Sequence, residues 1–102
     1  MKQIFLLIPL LAGLSATPAL ADQALATSKN CMACHKLDTK FVGPAYKDVA
    51  AKYAGNKDAV AMLANKIMKG SSGVWGQVAM PPNTTVNEAD AKKLAAWVLS
   101  IK

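Results

Sequence analysis

No arginine occurs anywhere in the 102 residues, histidine occurs once and cysteine twice. Each shortage narrows the function. The chain is basic, with a formal net charge of +6, yet arginine is the side chain that grips phosphates and base edges with a planar fork. A basic protein that relies on lysine alone is a poor nucleic-acid reader, and no nucleic-acid partner is expected. A structural zinc site needs four nitrogen or sulfur ligands, and the two cysteines and one histidine make only three. Runs that alternate apolar and polar residues are missing too, so no strands are expected. Large apolar side chains are scarce beyond residue 21, where Phe41 is the only phenylalanine. A core this thin holds a small domain poorly, and proteins of this size recruit a disulfide, a metal or a bound cofactor.

The strongly apolar run from Ile4 to Leu14 is about half the ~20 residues needed to cross a bilayer. It follows Lys2 and leads to Ala19-Leu20-Ala21. A basic start, an apolar centre and small residues before a cut describe a secretory signal peptide. Residues 1–21 are expected to be a leader cleaved after Ala21, with a retained anchor as the alternative. Residues 22–102 then form one exported domain, not embedded in a membrane. Its eleven lysines against six acids give 11 − 6 = +5. The lysines are scattered, which suits plain solvation and long-range steering toward acidic partners equally.

Four helical stretches are predicted. The first runs from about Asp22, a candidate cap, to the cysteines, with Leu25, Lys29 and Met32 at helical spacing. The second begins at Pro44 and places Tyr46, Val49, Ala50 and Tyr53 on one face before Gly55. The third, about 57–69, stripes Val60, Leu63, Ala64 and Ile67 and stops at Gly70. The last opens on "NEAD", with Asn87 as cap and acids in the first turn, and aligns Leu94, Trp97, Val98 and Ile101. Trp97 is read as packing only. Residues 70–86, "GSSGVWGQVAMPPNTTV", are too rich in glycine and proline for a helix and long enough to be functional. The class is all-α.

The chemistry lies in "CMACH", residues 31–35, which holds both cysteines and the histidine. A thioredoxin-like pair would need strands. A Cys/His nucleophile needs a free thiolate and a base approaching through space. A plain disulfide is available in an oxidising compartment, but leaves the histidine and the long loop without a role. C-x-x-C-H also attaches haem covalently. Cys31 and Cys34 would each form a thioether, and His35 would reach the iron. A porphyrin would be the missing staple of the core.

Because there is no second histidine, a second axial ligand would be a methionine thioether. Met32 lies inside the attachment turn, Met62 points away from its helix's apolar stripe, and Met68 flanks that stripe. Met80 sits in "AMPPN", where Pro81 and Pro82 stiffen the backbone. It is the candidate, with a core-filling role as the alternative.

"CMACH", "VGPAYKDVAAKYAG", "KIMKGSSGVWG" and "MPPN" together resemble the short bacterial class I c-type cytochromes of the cytochrome c-551/c-552 group, over essentially all of 22–102. The resemblance implies four or five helices wrapped around one covalent haem c, with the terminal helices crossing and His35 and Met80 as axial ligands. It implies that the Pro44 carbonyl receives the His35 ring N–H. Trp75 and Lys66 would lie at a haem propionate, and Asn83 would donate to the methionine sulfur. The segment "NTTVNEAD" is one residue longer than in some relatives.

Two filled axial positions would leave no vacancy for a substrate, so an electron carrier is expected rather than an enzyme. Methionine would raise the potential. Lys36 and Lys40 would rim an exposed haem edge. The expected setting is the periplasm, with a monomer moving single electrons from a quinol-oxidising complex to a terminal reductase or oxidase. The competing classes are a gas- or peroxide-binding haem protein and a thiol–disulfide protein without haem.

Overall fold

The computed structural model describes residues 18–102. The predicted leader falls on residues 1–17, outside the described residues, apart from Pro18 to Ala21, which begin the first helix. That helix, α1, spans Pro18–Ser28. It therefore starts before the predicted cap Asp22 and ends short of the cysteines. Thr27 and Ser28 turn their hydroxyls back onto the carbonyls of Gln23 and Leu25, at 3.0 and 2.8 Å, a habit that loosens a helix end. Asn30 then adopts a left-handed conformation at φ 62°, which asparagine tolerates better than most residues. A short 3-10 turn over Cys31–Ala33 follows. One predicted helix is therefore two pieces, with Cys31 opening the second and Cys34 closing it.

Helix α2 covers Tyr46–Lys52, two residues later than the Pro44 start read from sequence. Residues 44–47 are engaged elsewhere. The Pro44 carbonyl accepts from His35, and the Tyr46 and Lys47 N–H groups donate to the carbonyls of Lys36 and Leu37 at 3.0 and 2.9 Å. The predicted stripe is otherwise correct: Tyr46, Val49, Ala50 and Tyr53 are all buried.

Helix α3 covers Ala59–Lys69 and stops at Gly70. Leu63 and Ala64 are buried, with Val60 and Ile67 packed at the margin of the core. Helix α4 covers Glu88–Leu99. Its start follows the sequence reading closely, since the Asn87 side chain accepts the Asp90 N–H at 2.8 Å.

Helix α4 is the hub of the fold. It packs against α1, α2 and, most extensively, α3. Leu94, Ala95, Trp97 and Val98 bury its inner face, and Leu94 is the largest fully buried side chain. Residues 70–86 form the predicted irregular segment, pinned by an isolated antiparallel bridge between Ser71 and Met80. Among the described residues there is no named strand and no helix long and apolar enough to cross a membrane. The architecture is all-helical, as expected.

Candidate functional site

The 3-10 turn, the start of α2, the inner faces of α3 and α4 and the 70–86 segment enclose one cavity of about 380 Å³. That is within the range of small-molecule and cofactor sites. Every residue singled out in the sequence reaches its wall: Cys31, Cys34, His35, Pro44, Lys66, Trp75, Met80 and Asn83. Val49, Leu63, Ile67 and Leu94 make the lining largely apolar.

His35 is the one polar or charged residue buried among those described, at 9% exposure. Its Nδ1 lies 2.8 Å from the Pro44 carbonyl oxygen. A carbonyl only accepts, so Nδ1 carries the proton, and in neutral imidazole Nε2 keeps its lone pair for a metal. A β-carbon built on Gly43 would fall 2.5 Å from His35 Cε1 and 2.8 Å from Nδ1. Glycine at 43 therefore allows the backbone to pass directly against the imidazole. The glycine itself is held by its N–H to the Cys34 carbonyl at 2.8 Å.

Cys31 and Cys34 are both free thiols, half-buried at the cavity. Burial pushes the Cys31 thiol up from its ordinary value, opposed by a smaller effect of hydrogen bonding with Tyr46. Burial pushes the Tyr46 phenol up as well, with the nearby Cys31 adding to it. Both groups are therefore neutral near pH 7, as an apolar pocket requires.

Met80 is fixed through its backbone. Its N–H donates to the Ser71 carbonyl at 2.8 Å, and its carbonyl accepts from the Ser71 N–H at 3.0 Å. Met32 and Met68 pack against the core and Met62 is exposed, which leaves Met80 as the methionine at the cavity wall.

Three polar candidates have partners the sequence did not suggest. Lys66 Nζ lies 3.4 Å from the Tyr53 hydroxyl. Lys52 places its ammonium 5.2 Å from the centroid of the Trp75 ring, a cation–π contact of about 0.5–1 kcal/mol at an exposed site. The Asn83 amide donates to the Ile67 carbonyl at 2.8 Å, and the Asn83 N–H reaches the same oxygen at 3.1 Å. The resemblance had pointed this amide at the methionine sulfur. One of its two N–H donors ties the loop to the last turn of α3, where an unpaired helical carbonyl is in reach.

Sequence reasoning missed the neighbours of the imidazole. Tyr46 stacks on His35 at 4.7 Å between centroids and 18° between planes, and Trp97 meets Tyr46 edge-on at 5.4 Å and 76°. Both aromatics had been read as core stripe. The glycine of "VGP" was the only local sign that something passes close to that turn.

The residues present fit a covalently attached haem. Two cysteines, a buried imidazole whose Nδ1 carries the proton, and Met80 line one largely apolar cavity, and among the described residues no cluster of three His, Cys, Asp or Glu offers a competing metal site. Comparison with known proteins agrees. A family model described as cytochrome c matches residues 19–102. Cytochrome c-552 of Nitrosomonas europaea is 61% identical over 84 residues, covering 82% of each chain. Cytochrome c-551 of Stutzerimonas stutzeri is 56% identical over the full length of both. The crystal structure of the Nitrosomonas europaea cytochrome c552 superposes with a TM-score of 0.77 at 60% identity, covering 78% of this chain and 99% of that one.

Proposed function

Because this chain belongs to the cytochrome c family of small electron carriers with one covalently attached haem c, we propose that it shuttles single electrons between periplasmic respiratory partners through a His35/Met80-ligated iron. The observation that carries this reading is the cavity whose wall brings Cys31, Cys34 and His35 together with Met80. Bound there, the haem would supply one-electron chemistry between the ferric and ferrous states.

The chain's own residues supply the rest. Cys31 and Cys34 anchor the macrocycle as thioethers, so it survives each encounter with a partner. His35 presents Nε2, and the Pro44 carbonyl holds its tautomer and strengthens its donation. Met80 supplies a soft, weak ligand that favours the reduced state, and its bridge to Ser71 limits how far it can move. Lys66 and Trp75 both lie at the wall and would donate to a propionate. With His35 and Met80 both holding the iron, no position would be left for a substrate, and the protein would act as a carrier rather than an enzyme.

Lys36 and Lys40 flank Phe41 and Val42, which are about half exposed. This mixed apolar and basic rim suits brief docking to acidic redox proteins, because charge steers the encounter while a small interface releases quickly. A quinol-oxidising complex is proposed as donor and a terminal reductase or oxidase as acceptor. The leader-like residues 1–21 support export to the periplasm, and a monomer suits the role.

Absorption spectra in both redox states test the ligands. A weak red band in the ferric protein that vanishes on reduction is expected from methionine on iron. Met80→Ala should abolish the band, lower the potential and let the reduced protein bind carbon monoxide. An unchanged potential in that variant would reject Met80, and rapid carbon monoxide binding by the unaltered protein would reject the carrier.

A further inference from the structure

We infer that Tyr46 is a positioning residue for His35: stacked on the imidazole and braced from behind by Trp97, it sets the plane of the ring. The inference rests on the reading above that His35 ligates the iron.

The Pro44 bond fixes which nitrogen is protonated, but a single N–H···O=C contact tolerates a broad range of angles. The ring could rock about its bond to the β-carbon and keep that contact. What removes this freedom is packing. Tyr46 lies 18° from parallel to the imidazole with centroids 4.7 Å apart, an offset-stacking distance. The Gly43 backbone stands so close that a β-carbon there would be 2.5 Å from Cε1. Between them the imidazole has one orientation.

Tyr46 is itself immobilised. It opens α2, its N–H is held by the Lys36 carbonyl at 3.0 Å, and only 7% of its surface is exposed. Trp97, 5% exposed on α4, meets its ring edge-on at 5.4 Å. The pose of the imidazole is thereby tied to the helix that organises the whole core. For an axial imidazole the ring plane decides which iron d orbital its π electrons overlap. Neighbours that orient a ligand in this way tune the metal without touching it.

A tyrosine that merely filled the core would affect stability and nothing else. The test therefore uses the holoprotein and reads the ferric g-values and the proton shifts of the haem methyls, with the melting temperature recorded separately. The unaltered protein is measured first, and a spectrum without the signature of histidine ligation would reject the His35 reading rather than the role of Tyr46. Tyr46→Phe keeps the ring and should leave g-values and methyl shifts as they were. Tyr46→Leu keeps apolar bulk without the ring and should displace both. Trp97→Leu, which removes the brace from a distance, should displace or broaden the same signals by a smaller amount. It also provides the readout if Tyr46→Leu does not mature. Lowered melting temperatures with unmoved g-values and methyl shifts, in either leucine variant, would overturn the proposal.

Discussion

Gly70 and Met80 meet with no room for a side chain between them. A β-carbon on Gly70 would lie 2.5 Å from the Met80 carbonyl oxygen and 3.1 Å from the Pro82 nitrogen, and Gly70 itself sits at φ 81° and ψ 173°, a region essentially restricted to glycine. The glycine that ends α3 thus also seats the segment carrying the methionine. Gly70→Ala should cost about 1–3 kcal/mol from backbone strain alone, and more from the forced shift of residue 80. Thermal unfolding measures the first. Loss of intensity in the red ferric band measures the second, and an alanine variant with full intensity would show that the loop adapts without moving the thioether.

Gly43→Ala acts on His35, the other proposed ligand. The new methyl would occupy the place of the imidazole edge, and overpacking of this kind costs about 1–3 kcal/mol. Displacing the ring weakens its bond to the Pro44 carbonyl, makes His35 a poorer donor and should raise the midpoint potential. Redox titration checks the direction. An unmoved potential would mean the Pro44 contact survives, and a potential that falls would overturn the argument.

Asn87→Ala separates fold from function. The cap bond to the Asp90 N–H contributes about 1 kcal/mol, so the melting temperature should drop by roughly 4–8 °C for a domain of this size. The site is built from other residues, and the potential should stay where it was. Calorimetry and voltammetry on one sample decide it.

Leu94→Ala removes the largest fully buried side chain. The expected loss is about 2–5 kcal/mol, depending on how far the neighbours close in. Because Leu94 also lines the cavity, the potential should move as well, which distinguishes this site from Asn87. A large drop in stability with an unmoved potential would place Leu94 outside the influence of the haem.

Local features were readable from sequence. Asn87 announces α4 because a cap acts within one turn, and the stripe on α2 and Leu94, Trp97 and Val98 of the stripe on α4 are buried because helical periodicity and burial are the same fact seen twice. Ile101, the last of that stripe, lies past the helix end and is half-buried. The five residues 31–35 carried the cofactor for a similar reason: their chemistry is contiguous. Features that depend on distant chain were not readable. The start of α2 moved because Pro44, Tyr46 and Lys47 bond to residues 35–37, the Asn83 amide reaches the Ile67 carbonyl of α3, and Tyr46 stacks on an imidazole outside its own helix. The break at Asn30 lies between these cases. Its conformation is local, but nothing in its composition separates it from an asparagine inside a helix.

Helix α4 was described as the hub of the core, and Leu94, Ala95, Trp97 and Val98 are also one wall of the cavity. One helix face therefore serves two ends, since the side chains that hold α1, α2 and α3 together also close the pocket. A substitution that loosens this face disturbs the cofactor's surroundings and the stability of the domain at once, so the two cannot be tuned independently from α4.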